Sequence, residues 1–181
     1  MTNTEFEPEY TNQNPYPNLP PIIESLESEY LSNGITSSVA IAGHPIHPII
    51  VVFPVAFLTA AAGTDIGYWL TEDFFWGRAS SWLIGLGLVA GILAALIGMF
   101  DFFKVPRVRK RTAGWAHMIL NVSALVLTAI NFAFRLDNPD FIVPIGLIVS
   151  LLVATLLGIG GWYGGELSFR HKIGVIGPND N

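Results

Sequence analysis

The fold is decided by residues 80–103, which read SSWLIGLGLVAGILAALIGMFDFF. Asp101 is the one charged residue in this stretch, which is longer than the roughly 20 residues that an α-helix needs to cross a bilayer. The run is apolar throughout, whereas the strands of a membrane β-barrel alternate between apolar and polar residues. It therefore predicts a membrane-spanning helix.

Three further runs of the same kind flank this one along the chain. The connections between them are short and contain Pro, Gly and charged residues, so neighbouring helices must run antiparallel. We predict an all-α fold, an integral membrane four-helix bundle with up-down-up-down order that is built from two related helical hairpins. The apolar runs are Ile49 to Leu70, Ser80 to Phe103, Ala113 to Phe134 and Phe141 to Tyr163, which predict helices at about 48–70, 80–103, 112–135 and 141–164.

The composition agrees with a lipid environment and excludes several classes of protein. Of 181 residues, 51% are hydrophobic and 13% charged, whereas a soluble domain averages about 25% charged residues. A net charge of −5 leaves no broad basic face for phosphates, so we expect no nucleic-acid partner. The absence of cysteine excludes disulfides and cysteine-held metal clusters within this chain. No serine-nucleophile or phosphate-loop motif is present, so we assign no catalytic residue and do not expect an enzyme.

The two ends of the chain differ from the apolar core. Residues 1–40 hold six glutamates and neither lysine nor arginine, and they predict an acidic, largely disordered tail with a short amphipathic helix at 21–32. This tail lacks the apolar segment of a signal peptide, so we expect it to be retained. Residues 41–176 form the predicted four-helix domain, and 177–181 form a C-terminal tail.

Basic residues predict the orientation in the membrane. Arg78 and Arg135 lie at one end of the predicted bundle, and seven basic residues lie at the other. Because basic loops stay in the cytoplasm, both termini are predicted to be cytoplasmic. The seven are Lys104, Arg107, Arg109, Lys110, Arg111, Arg170 and Lys172.

The predicted helices carry polar or small residues along one face. Polar groups in lipid are costly unless they find partners inside the bundle, so these faces should point inward. Small residues on the other helices permit close packing. The polar face of the third helix comprises His117, Asn121, Ala124, Thr128, Asn131 and Arg135; the small-residue seams comprise Gly87, Gly91, Ala94, Gly98 and Asp101, and Gly146, Ser150, Ala154, Gly158 and Gly161.

All four histidines fall at the predicted cytoplasmic end. His44 and His47 lie in the motif Gly-His-Pro-Ile-His-Pro at 43–48, His117 begins the third helix, and His171 follows the fourth. Proline restricts the residue before it to extended conformations, which predicts that both histidines of the motif lie outside helical geometry. A hydrogen-bonded packing role is the alternative for each histidine.

A faint internal repeat relates two of these histidines. Ala42-Gly43 precedes His47, and Ala113-Gly114 precedes His117, each ahead of an apolar helix. The two helices run in the same direction, so duplicated hairpins would be related by a pseudo-twofold axis along the membrane normal. His47 and His117 would then face one central volume.

Two imidazoles from parallel helices suit a b-type haem. Iron held by two protein nitrogens has no position for substrate, which favours electron transfer. The predicted cofactor site has His47 and His117 as axial ligands with Asn121 nearby. Its remaining members are His44 and His171 as substitute ligands, and Arg111 and Arg170 near the propionates.

Two other functions remain open. Imidazole and carboxylate ligands also suit a divalent metal ion. The chain could instead bind no cofactor and serve as a membrane scaffold or assembly factor whose tail recruits a partner, and a redox or assembly partner on the cytoplasmic side and a homodimer are both compatible with the sequence. The candidate metal ligands are His44, His47, His117, Glu166 and Asp101.

Several motifs together resemble an uncharacterised family of small bacterial membrane proteins with four helices, over roughly residues 40–176. The resemblance implies a histidine-clustered bundle in a bacterial inner or internal membrane, and it points toward redox work because some members are joined to Rieske-type iron–sulfur domains. This chain has Val52 where the family often has histidine, which removes a third histidine from the first helix. The resemblance is carried by GHPIHP at 43–48, Phe53-Pro54, Asp65, GMFD at 98–101, His117 with Asn121, and GGEL at 164–167 with Arg170-His171.

Overall fold

The structure is a computed structural model, and it describes residues 35–175. The predicted helix at 21–32 and the tail at 177–181 lie outside the described residues. Four long helices dominate the described part, and each is long and apolar enough to cross a membrane. They are α1 (Ile46–Thr71), α2 (Phe74–Lys104), α3 (Thr112–Asp137) and α4 (Ile145–Gly165). The predicted all-α bundle is confirmed.

Two helix starts differ from the prediction. Helix α2 begins at Phe74 rather than near Ser80, because the Asp73 carboxylate caps it by accepting a hydrogen bond from the Phe75 amide at 2.8 Å. Helix α4 begins at Ile145 rather than near Phe141, because a 3₁₀ turn, Pro139–Ile142, occupies the preceding residues. The cap at Asp73 thus lengthens α2, and the proline-containing 3₁₀ turn shortens α4.

The helices pack in a ring in which chain neighbours are also spatial neighbours. Helix α1 packs against α2 and α4, and α3 packs against the same two helices. Helices α1 and α3 therefore occupy opposite corners, and their inward side chains meet only on the axis of the bundle.

The buried positions repeat between the two hairpins. Four of the five buried residues of α1 recur as buried residues on α3 after 70 positions, and five of the seven on α2 recur on α4 after 66 positions. The predicted repeat is therefore visible in the packing. On α1 and α3 the pairs are Pro54 and Ala124, Leu58 and Thr128, Ala61 and Asn131, and Asp65 and Arg135; on α2 and α4 they are Ser80 and Gly146, Ile84 and Ser150, Gly87 and Val153, Gly91 and Leu157, and Ala94 and Gly160.

The predicted small-residue seam of α4 is wrong beyond its first turns. Gly158 and Gly161 are exposed, and a side chain added at either would meet nothing within 4 Å. Three successive steps of four residues rotate a position by about 120° around a helix with 3.6 residues per turn, which carries Gly158 off the inner face. Val153, Leu157 and Gly160 are buried instead.

Short segments close the end of the bundle that carries the histidines, hereafter the histidine end. Strands β1 (Ala40–Ile41) and β2 (His44–Pro45) form a small hairpin before α1, and a single helical turn, Pro106–Arg109, joins α2 to α3. The Ile35 amide donates to the Lys172 carbonyl at 2.8 Å, which ties both ends of the described chain together. An apolar cluster lies beneath them, formed by Phe102, Val105, Val108, Ala113, Leu167 and Ile173.

Candidate functional site: two imidazoles on the bundle axis

The rings of His47 and His117 meet at the histidine end. Their centroids are 6.2 Å apart and their planes are inclined at 84°. Because α1 and α3 occupy opposite corners, this contact lies on the axis, as the repeat predicted.

Each ring is held by a carbonyl of the neighbouring helix in its own hairpin. His47 Nδ1 lies 3.0 Å from the Ala94 oxygen on α2, and His117 Nδ1 lies 2.8 Å from the Gly160 oxygen on α4. A carbonyl only accepts, so Nδ1 carries the hydrogen in both rings and Nε2 keeps its lone pair. Ala94 and Gly160 are equivalent positions of the repeat, so the two hairpins hold their imidazoles in the same way.

Glycines make room for both rings. A Cβ at Gly98 would stand 2.7 Å from His47 Cε1, and a Cβ at Gly164 would stand 2.9 Å from His117 Nδ1. These two glycines are again separated by 66 positions. Each therefore allows an imidazole to lie directly against the helix that bonds it.

Asn121 supports the main chain of α3 beside His117. Its side-chain amide donates to the His117 carbonyl at 2.7 Å, one turn away on the same helix. The same nitrogen would be 2.7 Å from a Cβ at Gly160, so this residue also fills the space beside α4. Asn121 therefore lies next to His117, one of the two rings.

The two histidines of the motif were expected to lie outside helical geometry, and of the two only His44 does. His44 lies in β2, exposed, with Nδ1 2.7 Å from the Ala42 oxygen. His47 lies inside the first turn of α1, so the expectation that it sits outside the helix is wrong. Pro48 occupies that same turn, where a missing amide hydrogen breaks no helical bond, and the turn tolerates the crowding that proline imposes on His47.

The carboxylates predicted as metal ligands have other partners. Asp101 accepts hydrogen bonds from the Ser37 hydroxyl at 2.7 Å and from the Ser38 amide at 2.6 Å. Glu166 accepts from Arg170 at 3.1 Å. Within residues 35–175, no group of three or more histidines and carboxylates is placed to hold a metal ion. The five candidate metal ligands are therefore not brought together.

The remaining candidate, His171, lies outside the helices in a basic environment. Its side chain is fully buried after the π-helical turn Glu166–Arg170. Burial is the main cause that lowers the pKa of His171 from its ordinary value, and the charge of Arg111 lowers it further. The neutral form is thus favoured at this position.

A second polar centre occupies the opposite end of the axis, hereafter the ion-pair end. The Arg135 guanidinium binds both oxygens of Asp65, at 2.6 and 2.7 Å, and neither side chain is more than 1% exposed. Arg135 also donates to the Ser80 and Ser150 hydroxyls and to Asn131. Sequence reasoning placed Arg135 on an inner face and missed its partner, although the spacing of 70 residues that links the histidines also links Asp65 to Arg135.

Comparison with known proteins places the chain in a family without supplying an activity. Neither a curated protein nor a solved structure matches it. A family model described as "Predicted membrane protein (DUF2231)" matches residues 43–177, which include the histidine motif and all four helices. The chain therefore belongs to the DUF2231 family of membrane proteins.

Proposed function

We propose that this protein transfers electrons within a membrane by means of one b-type haem bound between His47 and His117. The observation that carries the proposal is the meeting of these two rings on the axis, each with its Nδ1 bonded to a helix carbonyl. Metal-binding histidines commonly donate their second ring N–H to such an acceptor, which fixes the ring and raises its basicity.

The spacing of the rings supports a shared metal atom. Metal–imidazole nitrogen bonds measure about 2.0–2.1 Å, so two imidazoles bound end-on to one atom would have ring centres about 6 Å apart. The observed separation is 6.2 Å.

The number of protein ligands favours haem over a bare divalent cation. A catalytic or structural zinc ion takes three or four protein ligands, and residues 35–175 bring no such group together. Haem iron takes four nitrogens from its own macrocycle and needs only two imidazoles from the protein. When bound in this way, haem supplies a one-electron couple with no open position for substrate.

Small residues on α2 and α4 let the two imidazoles lie close to both helices. The inward positions of α2 and α4 nearest the rings carry at most a methyl group, and they are Ala94, Gly98, Gly160 and Gly164. Arg111 and Arg170 lie at the histidine end of the bundle, and they are the proposed partners of the haem propionates.

The side of the membrane belongs to the proposal as well. The loop after α2 and the segment after α4 carry the basic residues of the histidine end, and basic loops remain in the cytoplasm. We therefore place the haem, both termini and a redox partner protein on the cytoplasmic side of a bacterial inner or internal membrane.

An absorption spectrum of the purified full chain, supplemented with haem in detergent, tests the proposal. We expect a Soret band, and sharp visible bands after reduction. His47→Ala and His117→Ala should abolish these bands, whereas His44→Ala, which changes an exposed ring, should retain them. A wild-type chain without a Soret band would refute the proposal, as would equal spectra for the His44 and His47 variants. A colourless chain with stoichiometric metal in elemental analysis would assign the pair to a metal ion.

A further inference from the structure

Arg107 presents a buried nitrogen that lacks a partner. The residue lies in the turn Pro106–Arg109 between α2 and α3, and its Nη1 atom is buried without a hydrogen-bond partner. Buried polar groups of folded proteins are nearly always paired, and an unpaired group of a charged side chain is especially costly. The position therefore calls for an acceptor from outside the described chain.

The surroundings of Arg107 are strongly basic. The charges of Arg111, Arg107 and Arg170 all act on the buried ring of His171, and the single described carboxylate that acts on it is Glu166. That carboxylate already binds Arg170 at 3.1 Å. Arg107 thus lies in a region that is rich in guanidinium groups, which favours an anion as the partner of its unpaired nitrogen.

This basic cluster is fixed by packing. Val108, next to Arg107, belongs to the same apolar cluster as Leu167 and Ile173, which flank Arg170 and His171. The turn after α2 and the segment after α4 therefore hold their basic side chains at one place.

Aromatic side chains set the depth of the cluster in the membrane. Phe103, Trp115 and Phe169 are exposed around it. The Trp115 indole donates to the Arg109 carbonyl at 2.9 Å, on the same turn as Arg107. Exposed aromatic residues at helix ends lie at the level of the lipid headgroups. We therefore expect the unpartnered nitrogen to lie at the level of the lipid phosphates.

We propose that Arg107 binds one phosphate group, supplied by an anionic phospholipid. Guanidinium groups recognise phosphate through paired, charge-assisted hydrogen bonds, and basic pockets between membrane helices bind anionic headgroups. The site lies outside the imidazole pair and does not depend on haem.

The test uses the full-length, haem-free chain in detergent. Phosphatidylglycerol and, separately, phosphatidylcholine are titrated, and bound lipid is counted by native mass spectrometry. A third arm titrates inorganic phosphate. Arg107→Gln is compared with Arg109→Gln, a matched variant that removes the same charge from the same turn but whose exposed side chain already donates to the Phe103 carbonyl.

We expect phosphatidylglycerol to bind more tightly than phosphatidylcholine and to raise the melting temperature. Arg107→Gln should weaken phosphatidylglycerol binding about tenfold and remove the thermal shift, while Arg109→Gln changes either by about twofold or less. Removing an unpaired buried charge should leave the fold intact, which circular dichroism of both variants checks.

Two results would overturn the proposal. One is equal weakening by the Arg107 and Arg109 variants, which would indicate general attraction to a basic surface. The other is equal binding of the two lipids together with no binding of inorganic phosphate. Inorganic phosphate that displaces phosphatidylglycerol from the wild type, but not from Arg107→Gln, would support the same phosphate site with a soluble source.

Discussion

The buried pair of Asp65 and Arg135 gives the sharpest stability prediction. Arg135→Met removes the guanidinium and keeps an apolar side chain of similar length, which leaves the Asp65 carboxylate fully buried. Asp65 would lose both of its bonds to Arg135, at 2.6 and 2.7 Å, and would keep, among residues 35–175, the hydroxyl of Ser80.

The magnitude follows from these contacts. Removing one partner of a buried ion pair typically costs about 3–5 kcal/mol, because an uncompensated charge remains in a region of low dielectric constant. Asn131 would also lose the donor that binds its side-chain oxygen at 2.8 Å, while the retained Ser80 bond offsets part of the loss. We therefore expect Arg135→Met to lower the free energy of unfolding by about 3–5 kcal/mol, which is roughly a hundredfold to several thousandfold in the folding equilibrium.

The assay is denaturation of the purified chain in mixed micelles with increasing sodium dodecyl sulfate, followed by circular dichroism. Arg78→Met is the matched control, since Arg78 is an exposed arginine at the same end of the bundle. It should change the free energy of unfolding by no more than about 0.5 kcal/mol.

A double variant separates the lost pair from the stranded charge. Asp65→Leu combined with Arg135→Met replaces both charges by apolar groups, and such replacements are often neutral or stabilising. The double variant should therefore recover most of the loss. The reasoning fails if Arg135→Met costs no more than Arg78→Met, or if the double variant is less stable than Arg135→Met alone.

Three further predictions concern the histidine end. Gly98→Ala should displace the His47 ring and lower haem retention at least about tenfold in the reconstitution assay, whereas Gly158→Ala, which meets nothing, should leave retention unchanged. Because burial lowers the pKa of His171, the unfolded chain binds a proton near pH 6.5 that the folded chain does not. The contribution of His171 to stability should therefore fall as the pH drops below 6.5, by at most about 1.4 kcal/mol per pH unit, and His171→Gln should remove that contribution in unfolding titrations. Asp101→Asn weakens the bonds to Ser37 and Ser38 and should speed protease cleavage near residue 38 several-fold; unchanged cleavage would contradict a fastening role.

Sequence reasoning reached the architecture because its signals are long. Four apolar runs with short polar connections leave little choice of fold, and the direction of each helix follows from its neighbours. The same reasoning brought His47 and His117 together, because equivalent positions of parallel helices in a duplicated bundle must face a common axis.

What the sequence could not supply depends on rotation about helix axes and on capping. Gly158 and Gly161 looked like seam positions because small residues recur there, yet the helical period turns them outward. The hydrogen bond by which Asp73 caps α2 moves the start of the helix to Phe74, and a hydropathy pattern does not predict such caps. The partners of Asp101 lie some 60 residues earlier in the chain. Its hydrogen bonds to Ser37 and Ser38 could therefore not be predicted from the residues around it.

The ion pair of Asp65 and Arg135 also bears on the origin of the two hairpins and on whether the chain can be split into them. In a symmetric dimer of one hairpin, a residue on the twofold axis faces its own copy. Two histidines tolerate that arrangement, but aspartate facing aspartate, or arginine facing arginine, would be repulsive and buried. Asp65 and Arg135 are equivalent positions of the two hairpins, so their ion pair can form only between hairpins of different sequence. If this chain were split between α2 and α3, the fragments should therefore associate with each other in preference to forming homodimers.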